Sequence, residues 1–260
     1  MSYLTVAGET VHYVHHRNRN AVGPPLVFIH GAGGSHQLWL YQVRGLPQAT
    51  SYALDLPGHG QSTGPGRDSV AAYADWLIAF LDAAGLEQAA LVGHSMGGAI
   101  ALDAALRYPK RVASLGLVST GARLRVAPAV LDGLRHDLAA TVRLIAEWCY
   151  GPQVSPEMIR LGEQQMAATP PGILHDDFVA CNLYDVTSRL SEIVAPTVVV
   201  CGAKDRMTPL KYAAYLRDNI PGAVLHLVEG AGHMVMLEKP EEVTAILGGE
   251  PRSRMGDPEP

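Results

Sequence analysis

Apolar residues in this chain gather in short unbroken runs, and between the runs they recur every three or four positions. The runs at 26–29, 52–54, 89–92 and 112–118, with two later ones at 197–201 and 224–228, have the length and composition of strands. Apolarity without alternation is what a strand needs when helices cover both faces of its sheet. The start of the chain differs, because 4–6 and 11–14 flank the turn Ala7-Gly8-Glu9 and read as a hairpin. Between the second and third runs, Val70, Tyr73, Ala74, Leu77 and Leu81 form one stripe of 3.6-residue period. Asp68 or Ser69 can cap that helix at its start, and Gly85 suits the position past its end. Alternating strands and helices predict an α/β fold: eight strands in a mostly parallel sheet, with helices on both faces.

The alternation stops between 124 and 189. There the pattern is helical at 130–138, 141–150 and 156–168, with breaks at Gly151-Pro152 and Thr169-Pro170-Pro171. So long a stretch without a strand, inside an α/β chain, predicts a helical insertion rather than a loop. The expected organisation is a core formed by 1–123 and 190–248, an insertion at 124–189, and a disordered tail at 249–260, where Gly, Pro and charge dominate.

Composition narrows the function. Of the 260 residues 48% are hydrophobic and only 17% charged, which excludes disorder for the bulk of the chain. A net charge of −5 argues against the basic footprint of a nucleic-acid binder. Cys149, Cys181 and Cys201 are odd in number and widely spaced, so they build neither a disulfide framework nor a C-x-x-C site. No window is apolar for long enough to span a membrane, and the first residues lack the basic start and apolar run of a signal peptide. The expected compartment is the cytoplasm, and the expected partner is a small molecule. The pattern leaves the oligomeric state open.

The run at 89–92 leads into Gly93-His94-Ser95-Met96-Gly97-Gly98 and then a helical stretch. This is G-x-S-x-G in a strand–turn–helix context, which lifts a serine hydroxyl to the C-terminal edge of the sheet. Serine is a weak nucleophile and needs a base, an orienting acid and donors for an oxyanion. The run at 26–29 ends in His30-Gly31-Ala32-Gly33-Gly34-Ser35 at the same edge, and the expected donors are the amides of Ala32 and Met96. A dinucleotide reading of Gly31-Ala32-Gly33, with Asp55 as a ribose-binding acid, fails because His36 stands at the third glycine position. No G-x-x-x-x-G-K-[ST] loop exists either, so no cofactor is expected.

Eleven histidines compete for the role of base. His12, His15 and His16 read as surface residues of the hairpin, outside any H-E-x-x-H pattern, and no metal is expected. His30, His59 and His94 lie near the site and could hydrogen-bond its loops. His233 follows the last strand on Glu229-Gly230-Ala231-Gly232, which carries it to the sheet edge. The acid follows the preceding strand in Gly202-Ala203-Lys204-Asp205, whereas Val118-Ser119-Thr120-Gly121 offers no carboxylate. The order Ser95, Asp205, His233 is the order such an architecture uses.

With Asp55-Leu56-Pro57-Gly58-His59-Gly60-Gln61-Ser62 and the closing phrase from Gly230 to Pro240, these segments resemble the α/β-hydrolase superfamily over nearly the whole chain. The resemblance implies that 124–189 is a helical cap that chooses the substrate. It further implies a carboxylesterase-like serine hydrolase acting on a neutral ester with a small or medium acyl group. Carbon–carbon bond hydrolases and cofactor-free perhydrolases or haloperoxidases share the same triad and stay open, as does a ligand-binding receptor with vestigial hydrolysis. Trp39, Trp148, Met158, Met166, Phe178, Met207 and Met234 are candidates to line an apolar pocket.

Overall fold

The computed structural model describes residues 2–249, so all but the first residue of the expected tail lies outside the described residues. Eight strands form one sheet: β1 (Ser2–Val6), β2 (Glu9–His16), β3 (Leu26–Ile29), β4 (Ser51–Leu54), β5 (Ala89–His94), β6 (Val112–Val118), β7 (Thr197–Gly202) and β8 (Val224–Val228). Their order is β1-β2-β4-β3-β5-β6-β7-β8. The first two make the expected hairpin, turning at Ala7 and Gly8 with positive φ, and β2 lies antiparallel on β4. Every other pairing is parallel.

The unbroken apolar runs have a direct packing cause. Leu91 and Val92 are neighbours on β5, yet they belong to different cores on opposite faces of the sheet. One core joins Ile29 and Leu91 to α2 (Val70–Ala83) and α3 (Met96–Arg107). The other joins Phe28 and Val92 to α1 (Leu40–Gly45) and, after the last strand, to the final helices of the chain. Ser69 caps α2 by accepting from the Ala72 amide at 3.3 Å, and Gly85 takes the left-handed position past its end.

The strandless stretch folds as four helices: α4 (Pro128–His136), α5 (Leu138–Cys149), α6 (Pro156–Ala167) and α7 (Pro171–Leu183). The last of them goes beyond the sequence pattern, in which Thr169-Pro170-Pro171 marks only a break. Pro171 sits in the first turn of α7, where its missing N–H costs nothing. Val130, Ile145, Leu174 and Phe178 form a third apolar cluster among these helices, packed against Ala32, Met207 and Met234 from the sheet edge. The remaining helices are α8 (Leu210–Asn219), α9 (Val235–Glu238) and α10 (Pro240–Leu247). Among the described residues no helix is long and apolar enough to cross a membrane.

Candidate active site

Ser95 stands between β5 and α3 at φ 52° and ψ −116°, a backbone conformation that a side-chain-bearing residue holds only when its surroundings enforce it. The enforcement is visible. Its amide donates to the Val118 carbonyl at 3.0 Å, and its carbonyl accepts from the amides of Gly98 and Ala99 and from Thr120 Oγ1 at 2.7 Å. A Cβ at Gly93 would overlap the Gly97 carbonyl, and one at Gly97 would overlap the Ile29 carbonyl. Strand, turn and helix therefore touch backbone to backbone, and only glycine fits between them.

The neighbouring loop is fixed just as firmly. The carbonyl of Gly31 accepts from His30 Nδ1 at 2.8 Å and from the Gly34 amide at 3.0 Å. That carbonyl and the Ala32 N–H are opposite ends of one planar peptide, so holding the oxygen orients the N–H. His30 accepts the Leu56 amide on Nε2 at 3.0 Å, which requires the neutral ring. Burial, with the charge of nearby His59, holds its pKa down at about 4. Among the described residues the amides of Ala32 and Met96 donate to no protein group.

His233 Nδ1 lies 2.9 Å from Asp205 Oδ2, with both residues buried. Burial alone would raise the Asp205 pKa, but the His233 ring and the Thr208 donors outweigh it and the pKa falls below the usual range. Asp205 Oδ1 accepts the amides of Met207 and Thr208, each at 2.8 Å, and Oδ2 also accepts Thr208 Oγ1 at 2.8 Å. The loop bearing His233 is tied to the end of α5, because the amides of His233 and Met234 both donate to the Cys149 carbonyl. Glu238 accepts the amides of Gly151 and Gly232, each at 3.0 Å, and joins the same two segments a second time. His94 Nε2 donates to the His233 carbonyl at 3.1 Å, and its ring centroid lies 4.6 Å from that of His233. Burial keeps His94 neutral, its pKa pushed well below 6.5.

Ser95 and His233 border one cavity of about 100 Å³ between the sheet edge and α5, α6 and α7. Among the described residues Asp205 and Thr208 are the only hydrogen-bond partners of the His233 ring, both at Nδ1, so Nε2 has no protein partner. Of the residues expected to line an apolar pocket, Met166, Phe178, Met207 and Met234 do so. Trp39 is instead sealed in the sheet core, 5.0 Å from Phe28, and Trp148 and Met158 pack within the helical cluster.

A family model of the alpha/beta hydrolase fold matches residues 24–240. The chain belongs to the α/β-hydrolase family. Among curated relatives, the dihydrolipoyllysine-residue acetyltransferase component of an acetoin cleaving system from Cupriavidus necator is 32% identical over 85% of this chain. This chain spans only 62% of that protein's length. A pimeloyl-[acyl-carrier protein] methyl ester esterase of Neisseria meningitidis is 30% identical over 84% of this chain and 89% of its own. Among solved structures, a thermophilic esterase superposes with TM-score 0.85 at 33% identity, covering 95% of each chain.

The structure corrects one reading of the histidines. His12 is fully buried, not on the surface. Its strand pairs with β4, and its Nδ1 donates to Asp55 Oδ2 at 2.8 Å. Asp55 also accepts from Gln61 N and from both N and Nδ1 of His36, which fills the four acceptor positions of a carboxylate. His12, His36 and Asp55 thus form an anchor beneath the loops.

His59 has a role that its sequence neighbourhood does not disclose. Its Nδ1 donates to the Pro57 carbonyl at 3.0 Å and its Nε2 to Asp177 Oδ2 at 2.8 Å, so both nitrogens carry protons and the ring is an imidazolium. Burial opposes that charge, but the Asp177 carboxylate outweighs it and raises the pKa above 6.5. The stability contributed by the pair is therefore full below pH 6.5 and is lost as the pH climbs through the raised value. Facing groups are Asp177, Asp55 and neutral His30. Thermal unfolding between pH 6 and 10 should show the Tm advantage of the wild type over His59→Gln narrowing as pH rises. A constant gap would mean that the ring is neutral throughout.

Proposed function

We propose that the protein is a serine esterase that cleaves carboxylic esters of neutral, small to medium acyl groups through an acyl-enzyme on Ser95. The observation that carries this reading is the shared cavity: a strained serine and a histidine whose Nδ1 is held by a buried carboxylate face the same apolar space. His233 Nε2 takes the Ser95 proton as Oγ attacks the ester carbonyl. Asp205 fixes the tautomer and stabilises the imidazolium without taking the proton. The amides of Ala32 and Met96 receive the oxyanion, and the imidazolium then protonates the departing alcohol. Water, deprotonated by the same histidine, releases the acid.

The four helices act as the cap in this reading and set acyl specificity, because Ile145, Met166 and Phe178 are among the side chains that α5, α6 and α7 contribute to the cavity wall. Methionine adapts its shape to varied apolar ligands. The similarity to an esterase structure and to a methyl ester esterase supports the same reaction class.

Steady-state hydrolysis of p-nitrophenyl esters of graded acyl length tests this directly. The expected result is multiple turnover with kcat/KM greatest for short or medium chains and falling once the acyl group outgrows the cavity. Absence of turnover on every ester, with rapid cleavage of a β-diketone, would assign the site to carbon–carbon hydrolysis instead.

A further inference from the structure

The site as proposed uses Ser95, His233, Asp205 and two amides, and it leaves one fully buried carboxylate unexplained. Asp177 belongs to α7, far from Ala32 in sequence, yet it lies beneath the loop that carries the Ala32 amide. Its Oδ2 accepts the Gly33 amide at 3.0 Å and His59 Nε2 at 2.8 Å, while Oδ1 accepts the Tyr73 hydroxyl at 2.7 Å. Three donors come from three separate parts of the sheet domain, and all converge on one side chain of the helical layer.

The contacts bracket Ala32. On its C-terminal side, Asp177 holds the N–H of the next peptide directly. On its N-terminal side the restraint runs through rings: Asp177 holds His59, whose ring lies 4.9 Å from that of His30, and His30 donates to the Gly31 carbonyl. Gly33 has φ +64°, and a Cβ there would crowd Leu174 of the same helix and Met166 of α6. Thr169, just before α7, reaches the Gly33 carbonyl at 3.3 Å and supplies one more tie. The loop is thus tied to α7 and the residues just before it on both sides of Ala32.

We infer that Asp177 is a positioning residue for the oxyanion hole, and that the Ala32 donor is in place only while α7 is docked on the sheet. This deepens the esterase reading and rests on it. An amide displaced by a fraction of an ångström still lets substrate bind but no longer meets the developing charge, so the effect belongs in kcat.

The test compares wild type, Asp177→Asn and Tyr73→Phe on p-nitrophenyl butyrate, with Tm measured for each. The carboxamide either keeps its oxygen on the Gly33 amide and leaves the His59 imidazolium without its counter-charge, or turns its NH2 toward His59 and loses Gly33, so the two ties can no longer both be held by one anionic oxygen. A kcat lower by about 10- to 100-fold, with KM changed less than about threefold, is the expected result. Affinity for butylboronic acid, whose Ser95 adduct places an oxygen in the hole, should fall in parallel with kcat. Tyr73→Phe removes one donor of three and should lower kcat by a smaller factor, again without a change in KM. It carries the test alone if Asp177→Asn does not fold. Unchanged kcat in a folded Asp177→Asn, or a raised KM at constant kcat, would overturn the inference and make Asp177 a packing element only. That outcome is separable from failure of the site assignment itself, which would appear as undiminished activity in Ser95→Ala.

Discussion

Ser95→Ala should eliminate multiple turnover of p-nitrophenyl esters while leaving the fold intact. Every contact that holds residue 95 is made by its backbone: the amide to Val118, and the carbonyl to Gly98, Ala99 and Thr120. Alanine keeps all of them and meets the same positive φ, so Tm should scarcely move. What disappears is the hydroxyl that the proposed reaction uses as its nucleophile. The residual rate should be the roughly 10³–10⁴-fold advantage over water that the oxyanion donors and substrate binding supply by themselves. Side-by-side steady-state assays and thermal melts decide the matter, and near-native activity in a folded variant would remove Ser95 from the mechanism.

Asp205→Asn should cost about 10⁴-fold in kcat, with little change in KM, for a reason that the hydrogen bonds make specific. Oδ1 is claimed by two backbone amides, those of Met207 and Thr208, so the carboxamide oxygen will settle there. Its NH2 then occupies the place of Oδ2, 2.9 Å from His233 Nδ1. A donor now faces that nitrogen, which must give up its proton and accept. The proton moves to Nε2, where it blocks acceptance of the Ser95 proton. Kinetics on an ester whose KM is known for the wild type would reveal this, and a loss under about tenfold would show that Asp205 does not set the tautomer.

The parallel strands are readable in the sequence because each is buried on both sides and so carries apolar residues without interruption, Leu91 and Val92 being the plainest case. The elbow around Ser95 is readable because backbone contact leaves only glycine at 93 and 97, a mark visible in the letters themselves. Residues that act across long separations leave no such mark. Asp177 meets Gly33 across 144 positions, and it interrupts the apolar character of the buried face that Leu174, Phe178 and Cys181 make on α7, so the residue pattern announces neither the helix nor the acid. A carboxylate amid Phe178, Ala180 and Cys181 is the available hint. Thr208 has a better one: an acid followed three residues later by threonine is the pattern of a side chain closing over its own turn. His12 is misread from sequence because the residue pattern along β2 cannot tell solvent from a buried carboxylate.

The seam where the His233 loop meets the end of β7 contains almost no side chains. A Cβ at Gly202 would overlap the carbonyl of Gly232, and one at Gly232 would overlap the amide of Gly151. Three backbones are stacked there at van der Waals distance, so the height of the His233 backbone above the sheet is set by peptide thickness. A rotamer can yield to a larger neighbour; a stacked peptide cannot. Attempts to reshape the cavity therefore have a natural division of labour. Side chains of the cavity wall can change without touching this seam, while a single methyl added there would displace His233 relative to Ser95.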